Sequence, residues 1–237
     1  MDTKKEKTSL IKDALLIEKY NTIDNVFVAL TTFIIEIREQ AAALRAYDNF
    51  FQTKSCNHIF LQRAYDSIFR ELLSEIARIF DKANTGSNEN CTLVKLKELC
   101  YEEYIFLFLD ITNNNLLQSL EDVFDFYNQL PIKYSRNKQL SHHDLKQVTD
   151  GNCIEISLGQ IELLIEKLTD VFAKLRTQFY CGVFEITFKN YDILVKQFEE
   201  DIKNLIEQST RRKYYARNSN NRNNNRLLIL NISSIQV

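Results

Sequence analysis

The chain is short of the residues that bend and break a backbone. Its 237 residues include one proline, Pro131, and four glycines. A sandwich or barrel turns often, and tight turns draw on Gly and Pro. Their scarcity predicts long helices joined by a few polar loops. With so few glycines there is also no Gly-rich loop to cradle a phosphate. Tryptophan is absent, and histidine occurs three times, at His58, His142 and His143. The cysteines, Cys56, Cys91, Cys100, Cys153 and Cys181, are odd in number and form no Cys-x-x-Cys pair. Scattered in a chain of this length, they argue against a disulfide framework and for reduced thiols in the cytoplasm. The opening MDTKKEKTSL leads into no apolar run of secretory type. The most apolar stretch, 26–37, contains Thr31, Thr32 and Glu36 and is too short to span a bilayer. No membrane association is expected.

Apolar residues make up 45% of the chain, including 16 Phe and 11 Tyr, enough for one sizeable core. The net charge of −2 is unevenly spread. Residues 211–237 hold Arg211, Arg212, Lys213, Arg217, Arg222 and Arg226 and no acid, so +6 sits there and −8 on the rest. An acidic body is not the footprint of a constitutive high-affinity DNA binder. The same terminal stretch is crowded with Asn, a composition that cannot pack a core, and ends in LLILNISSIQV. The expected organisation is one helical domain over 1–209 and a disordered basic tail over 210–237.

Helical periodicity recurs along the domain. A short amphipathic helix is expected over 9–20, with Asn21 or Thr22 capping a second from Ile23 to about Phe51. A break follows at Cys56–His58. The stripe Leu61, Tyr65, Ile68, Leu72, Ile76, Ile79 marks a helix over 59–82. NTGSNEN (84–90) reads as a loop, and Asn90 or Thr92 as the cap of a helix running toward Leu109. TNNN (112–115) is another loop. Leu116–Leu130 reads as a helix with Leu117, Leu120, Phe124 and Tyr127 facing in. Pro131 suits a first helical position and opens a short helix over 131–145. Ser157 caps a long helix through Phe179, and a last helix running to about Gln208 uses Tyr191, Leu194, Phe198, Ile202 and Leu205. The fold class is all-α, an antiparallel bundle of about six to eight helices.

One stretch has a sharp chemical signature: Arg136-Asn137-Lys138-Gln139-Leu140-Ser141-His142-His143-Asp144. Two of the three histidines sit in it, among Lys133, Arg136, Lys138 and Lys146. Adjacent helical histidines point about 100° apart and rarely share one ion. No His-x3-His spacing occurs, so no metal site and no cofactor are expected. Arg plus His suits phosphodiester chemistry. An imidazole near neutral pKa can take a proton from a ribose 2′-hydroxyl or give one to the leaving 5′-oxygen. A guanidinium neutralises charge building on the phosphate. The competing structural reading is a solvated, charged helix face. Asn137 either bonds a phosphate or is a surface residue. Lys138 and Lys133 are backbone-binding candidates or ordinary surface lysines. Asp144 either fixes the imidazole tautomer or caps a turn. Tyr134 is the one aromatic outside the core stripes placed to meet a substrate.

The string Arg136 to His142 resembles the Arg-x(4–6)-His signature of the HEPN superfamily, with a polar residue after the Arg. RNK-x-x-S-H-x-D is similar to the abortive-infection, AbiU-like branch, where an Ala often stands at the Ser141 position. The segment 75–99 resembles that branch's upstream helix, loop and Thr-Leu helix start, and the whole resemblance covers about 20–200. It implies a helical bundle that dimerises, with two motif helices facing across a cleft and two Arg and two His in a composite site. It implies a metal-independent endoribonuclease leaving a 2′,3′-cyclic phosphate, with His142 as acid–base and Arg136 as phosphate stabiliser, in a toxin or phage-defence setting. RNA, a second copy and an antitoxin are the partners this implies. Other members of the superfamily are non-catalytic binding or assembly modules, which is the alternative. On an ideal helix Arg136 and His142 stand about 120° apart and Arg136 and His143 about 20° apart. Motif alignment favours His142 and the helical wheel favours His143.

Overall fold

The computed structural model describes residues 2–53, 59–102, 115–134, 156–180 and 188–208; side chains before Leu15 and those of Thr53 and Tyr134 are not included. The architecture is an all-α bundle. In chain order it comprises α1 (Asp2–Thr53), α2 (Ile59–Ile79), a two-residue hairpin of β1 (Asn84–Thr85) and β2 (Asn88–Glu89), α3 (Leu93–Cys100), α4 (Leu116–Gln129), the single turn α5 (Ile132–Tyr134) and α6 (Leu158–Phe179). A further helix, α7, covers 191–208.

The break expected at Asn21–Thr22 does not occur, and α1 is one continuous helix. Ile23 and Val26 are held in the main core, and the Thr22 hydroxyl adapts to the continuous helix. It donates to the Glu18 carbonyl one turn back at 3.0 Å, so the side chain that suits a cap is satisfied inside the helix instead. Thr31 and Thr32 do the same to Phe27 and Val28. The loop at 84–90 is a tight antiparallel hairpin that turns at Gly86 and Ser87. Gly86 has φ of +63°, where a Cβ is disfavoured. Thr92, not Asn90, caps α3; its Oγ1 accepts from the Lys95 N–H at 3.2 Å. That helix stops at Cys100, short of the expected extension. The expected break at 56–58, residues 103–109 and the basic tail lie outside the described residues.

α1 is the central element. It runs antiparallel to α2, as Tyr47 meets Tyr65 and Phe33 meets Arg78. It is antiparallel to α6 as well, from Arg45–Glu162 at one end to Tyr20–Phe179 at the other. α7 runs in the same direction as α1: Arg38 reaches the Lys189 carbonyl and Asn49 reaches Glu199. The main core joins α1, α2, α3, α4 and α6 through Phe27, Leu30, Ile34, Leu72, Ile76, Leu96, Leu120, Ile165 and Phe172, all nearly or wholly buried. On α4 the buried positions are Leu116, Leu120, Val123 and Tyr127, while Leu117 and Phe124 flank them. A smaller core joins the end of α1, Leu61 of α2, and Leu194, Val195 and Ile202 of α7. Leu205, expected inside, is 59% exposed, and Ile206 packs in its place.

Candidate functional site

The described residues on both sides of 135–155 are firmly held. On its N-terminal side α4 ends at Gln129, and Leu130 turns extended, with φ −88° and ψ 139°. The Pro131 ring excludes the helical region for the residue before it, which accounts for that turn. The Leu130 N–H still donates to the Tyr127 carbonyl at 3.0 Å. Leu130 and Ile132 are buried, Ile132 completely, and α5 packs on α2. On the C-terminal side Ile156 packs against the main core and Ser157 begins α6 with a capping box. The Gln160 N–H donates to Ser157 Oγ at 3.2 Å, and the Ser157 N–H donates to Gln160 Oε1 at 3.1 Å. Such reciprocal bonds satisfy two otherwise orphaned donors and fix where the helix starts.

Two of the residues singled out from sequence fall within the described part. Lys133 is exposed on α5, and Tyr134 is the last residue of that turn. Arg136, Asn137, Lys138, His142, His143 and Asp144 lie outside the described residues, in the segment tethered by these two anchors. His58 lies outside as well.

The upstream segment that shares the resemblance has structural work. Ile76 is fully buried. The Arg78 guanidinium pairs with Glu75 at 2.6 Å and lies over the Phe33 ring. Phe80 stacks on Tyr127 with 3.9 Å between ring centroids and meets Phe124 edge-on. These rings lock the end of α2 to α4, one turn before the chain enters α5. The N-terminal anchor of the motif is therefore braced from two helices.

A second polar constellation, unmarked by any sequence motif, lies where α1, α6 and α7 meet. Arg45 Nε donates to Glu162 Oε1 at 2.8 Å and its Nη2 donates to Oε2, a two-pronged pair. The Tyr191 hydroxyl donates to the same Oε1 at 2.8 Å. Arg38 donates to the Lys189 carbonyl at 2.9 Å and to Thr169 Oγ1 at 3.4 Å, with its guanidinium over Phe188. Arg38, Arg45, Glu162 and Tyr191 line a cleft of about 590 Å³ together with Asn49, Glu166 and Asp192. The hydrogen bond to Glu162 raises the Arg45 pKa despite partial burial. Burial lowers that of Arg38. Burial and then the Glu162 bond push the Tyr191 hydroxyl well above its ordinary value. Arg45 spends its fork on one carboxylate, and the named cleft residues carry three acids against two arginines. That arrangement clamps three helices and does not make an anion hole. Arg45, Glu162 and Tyr191 are far apart in sequence and share no spacing, so only the fold brings them together.

Cys100 is buried, and its thiol is pushed up to about 12 by that burial, so it is no nucleophile at neutral pH. Among the described residues no group of three or more His, Cys, Asp or Glu is placed to hold a metal ion. Nor is any helix among them long and apolar enough to cross a membrane.

Comparison with known families finds a match to the HEPN-type AbiU2 model over residues 20–205. The matched span contains both anchors, the upstream segment and all nine residues of the Arg136–Asp144 stretch. No curated protein and no solved structure matches the chain.

Proposed function

The chain belongs to the HEPN AbiU2 family, and on that premise we propose that it is a metal-independent endoribonuclease acting in abortive infection. One observation carries this reading: Arg136 stands six residues before His142 inside the matched span, in a stretch rich in donors. His142 removes the proton from a ribose 2′-hydroxyl, and the 2′-oxygen attacks the adjacent phosphorus. The bond to the 5′-oxygen breaks, and that oxygen leaves with a proton from the second histidine of a paired site. The products are a 2′,3′-cyclic phosphate and a 5′-hydroxyl end. Arg136 balances the charge that develops on the phosphoryl oxygens. Asn137 and Asp144 orient the imidazole, while Lys133, Lys138 and Tyr134 bind the RNA strand. His143 is the second choice for the acid–base role.

A composite site needs a second copy of the chain, so the working species is a homodimer, held in check by an antitoxin. The decisive experiment incubates the purified protein with RNA in excess chelator and analyses the new ends. Cleavage is expected, with cyclic phosphate termini, and it is lost in both His142→Ala and Arg136→Ala. Cleavage that survives in both variants overturns the assigned roles. Full activity from a species of monomer mass in light scattering removes the composite site. RNA retention with no cleavage at any pH between 6 and 9 replaces the nuclease by a binding module of the same fold.

A further inference from the structure

The chain's one proline, Pro131, opens a one-turn post three residues before the motif begins. Its ring holds φ near about −65°. The residues on either side, Leu130 and Ile132, are 8% and 0% exposed. Ile132 belongs to the same main core as Phe80 and Tyr127, and α5 packs on α2. The backbone of Lys133 therefore follows a residue that is held in the core, while the Lys133 side chain is exposed.

Several lysines of the bundle are already engaged. Lys97 donates to Glu121 and lies over the Phe124 ring. Lys95 pairs with Glu89, Lys174 with Asp170, and Lys167 lies over Phe126. Lys133 has no such partner among the described residues. A free ammonium gains from a phosphate without giving up an ion pair, and counterion release adds to the gain. It is a point charge that reads no base, so it fixes register and not sequence. Three peptide units separate Lys133 from Arg136, so their Cα atoms lie within about 11 Å whatever path joins them. A strand held at one phosphate by Lys133 brings its next few phosphates within reach of Arg136. We infer that Lys133 sets the register of the RNA: it grips one phosphate at a fixed place along the strand and so selects which linkage meets Arg136 and His142. The inference rests on the nuclease reading and deepens it. Lys133 takes no part in proton transfer, so it acts on binding and not on the chemical step.

The test uses the full chain in excess chelator and a short 2′-O-methyl RNA strand with a single free 2′-hydroxyl, so that one linkage alone can be cut. Each neighbouring linkage is made neutral in turn as a methylphosphonate. Lys133→Ala is expected to raise KM by about 10-fold, with kcat within about 2-fold of the parent. It lowers the salt slope of strand binding by about one. One neutral linkage raises the KM of the parent by a similar factor and leaves that of Lys133→Ala unchanged. Lys133→Arg restores the parent pattern. An equal KM in the parent and Lys133→Ala overturns the inference and leaves the nuclease reading intact. Losses spread evenly over several linkages overturn a fixed contact. A fall in kcat at constant KM moves Lys133 into the chemical step and overturns the binding role. If the parent cuts nothing, the nuclease reading fails, and the same scan is read from strand affinity by fluorescence anisotropy. A single linkage that ceases to matter in Lys133→Ala then upholds the contact, and the absence of such a linkage overturns it.

Discussion

The molecule holds two polar constellations of opposite construction. Arg45, Glu162 and Tyr191 come from three helices and are assembled by folding alone. Arg136 to Asp144 is a run of nine consecutive residues whose chemistry is written locally. In the first, a carboxylate takes both prongs of the arginine and the tyrosine hydroxyl, so the charges are spent inside the protein. In the second, the run counts Arg136, Lys138, His142 and His143 against a single acid, Asp144. A set that neutralises itself holds helices together. A set with surplus donors suits a ligand that brings negative charge, as a phosphodiester does.

The sharpest way to break this comparison is to exchange the expected phenotypes. His142→Ala is expected to lower RNA cleavage by about 10²–10⁴-fold, the usual worth of a positioned general acid–base. Its unfolding midpoint in urea should match that of the parent. His143→Ala should cost less than about 10-fold. A larger loss at His143 than at His142 would show that the helical wheel, not the motif alignment, selects the acting imidazole. Glu162→Ala is the converse. It leaves Arg45 and Tyr191 without their shared acceptor, with side-chain exposures of 33% for Arg45 and 18% for Glu162. Partial burial keeps the cost below that of breaking a fully buried pair, at about 2–3 kcal/mol in urea unfolding. Cleavage per folded molecule should not change. If Glu162→Ala abolishes cleavage at full stability, the cleft is part of the active site and the division between the two constellations fails.

A smaller effect is expected where the two meet. Ser157 both starts the α6 helix that presents Glu162 and ends the segment that bears the motif. Ser157→Ala removes the capping box and should cost about 1 kcal/mol in urea unfolding. Exchange should quicken in the first turn of α6. Because the second anchor at Ile132 remains, cleavage at temperatures well below unfolding should fall by no more than a few-fold.

The legibility of these features follows their construction. The all-α class, the cap at Ser157 and the stripes of α2 and α6 were readable because each depends on residues within one or two turns. The family resemblance was readable for the same reason, from consecutive residues. The false break at Thr22 shows the limit of local reading: a hydroxyl suited to a cap is equally suited to bonding the preceding turn, and the packing of α1 on α2 and α6 decides between them. The mistaken placement of Leu205 has a different origin. Its periodicity is compatible with an inward position, but the neighbouring Ile206 takes the place against the small core and leaves Leu205 59% exposed. The Arg45–Glu162–Tyr191 clamp was unreadable, since nothing within any of the three helices distinguishes these residues from surface charge.

The smallest effect at neutral pH becomes visible in alkali. Burial, and lesser contributions from Asp48, push the Tyr65 hydroxyl up to about 12. Burial and the bond to Asp24 do the same for Tyr180. Tyr191 is raised by burial and by Glu162. For each, the neutral phenol is the form the fold accepts, whereas in the unfolded chain it ionises near pH 10. Between pH 10 and about 12 the unfolded state therefore binds fewer protons than the folded state, and stability falls as pH rises. Below pH 10 both states keep the proton and these groups add no pH dependence. Absorbance at 295 nm should then show one set of tyrosines titrating near pH 10 and another ionising only as helical circular dichroism is lost. Tyr191→Phe should remove one phenol from the late set and cost about 1 kcal/mol at neutral pH. Were Tyr191 to titrate with the early set while the helices persist, its hydroxyl would be open to solvent, and the cleft, not the motif, would become the first place to look for a ligand.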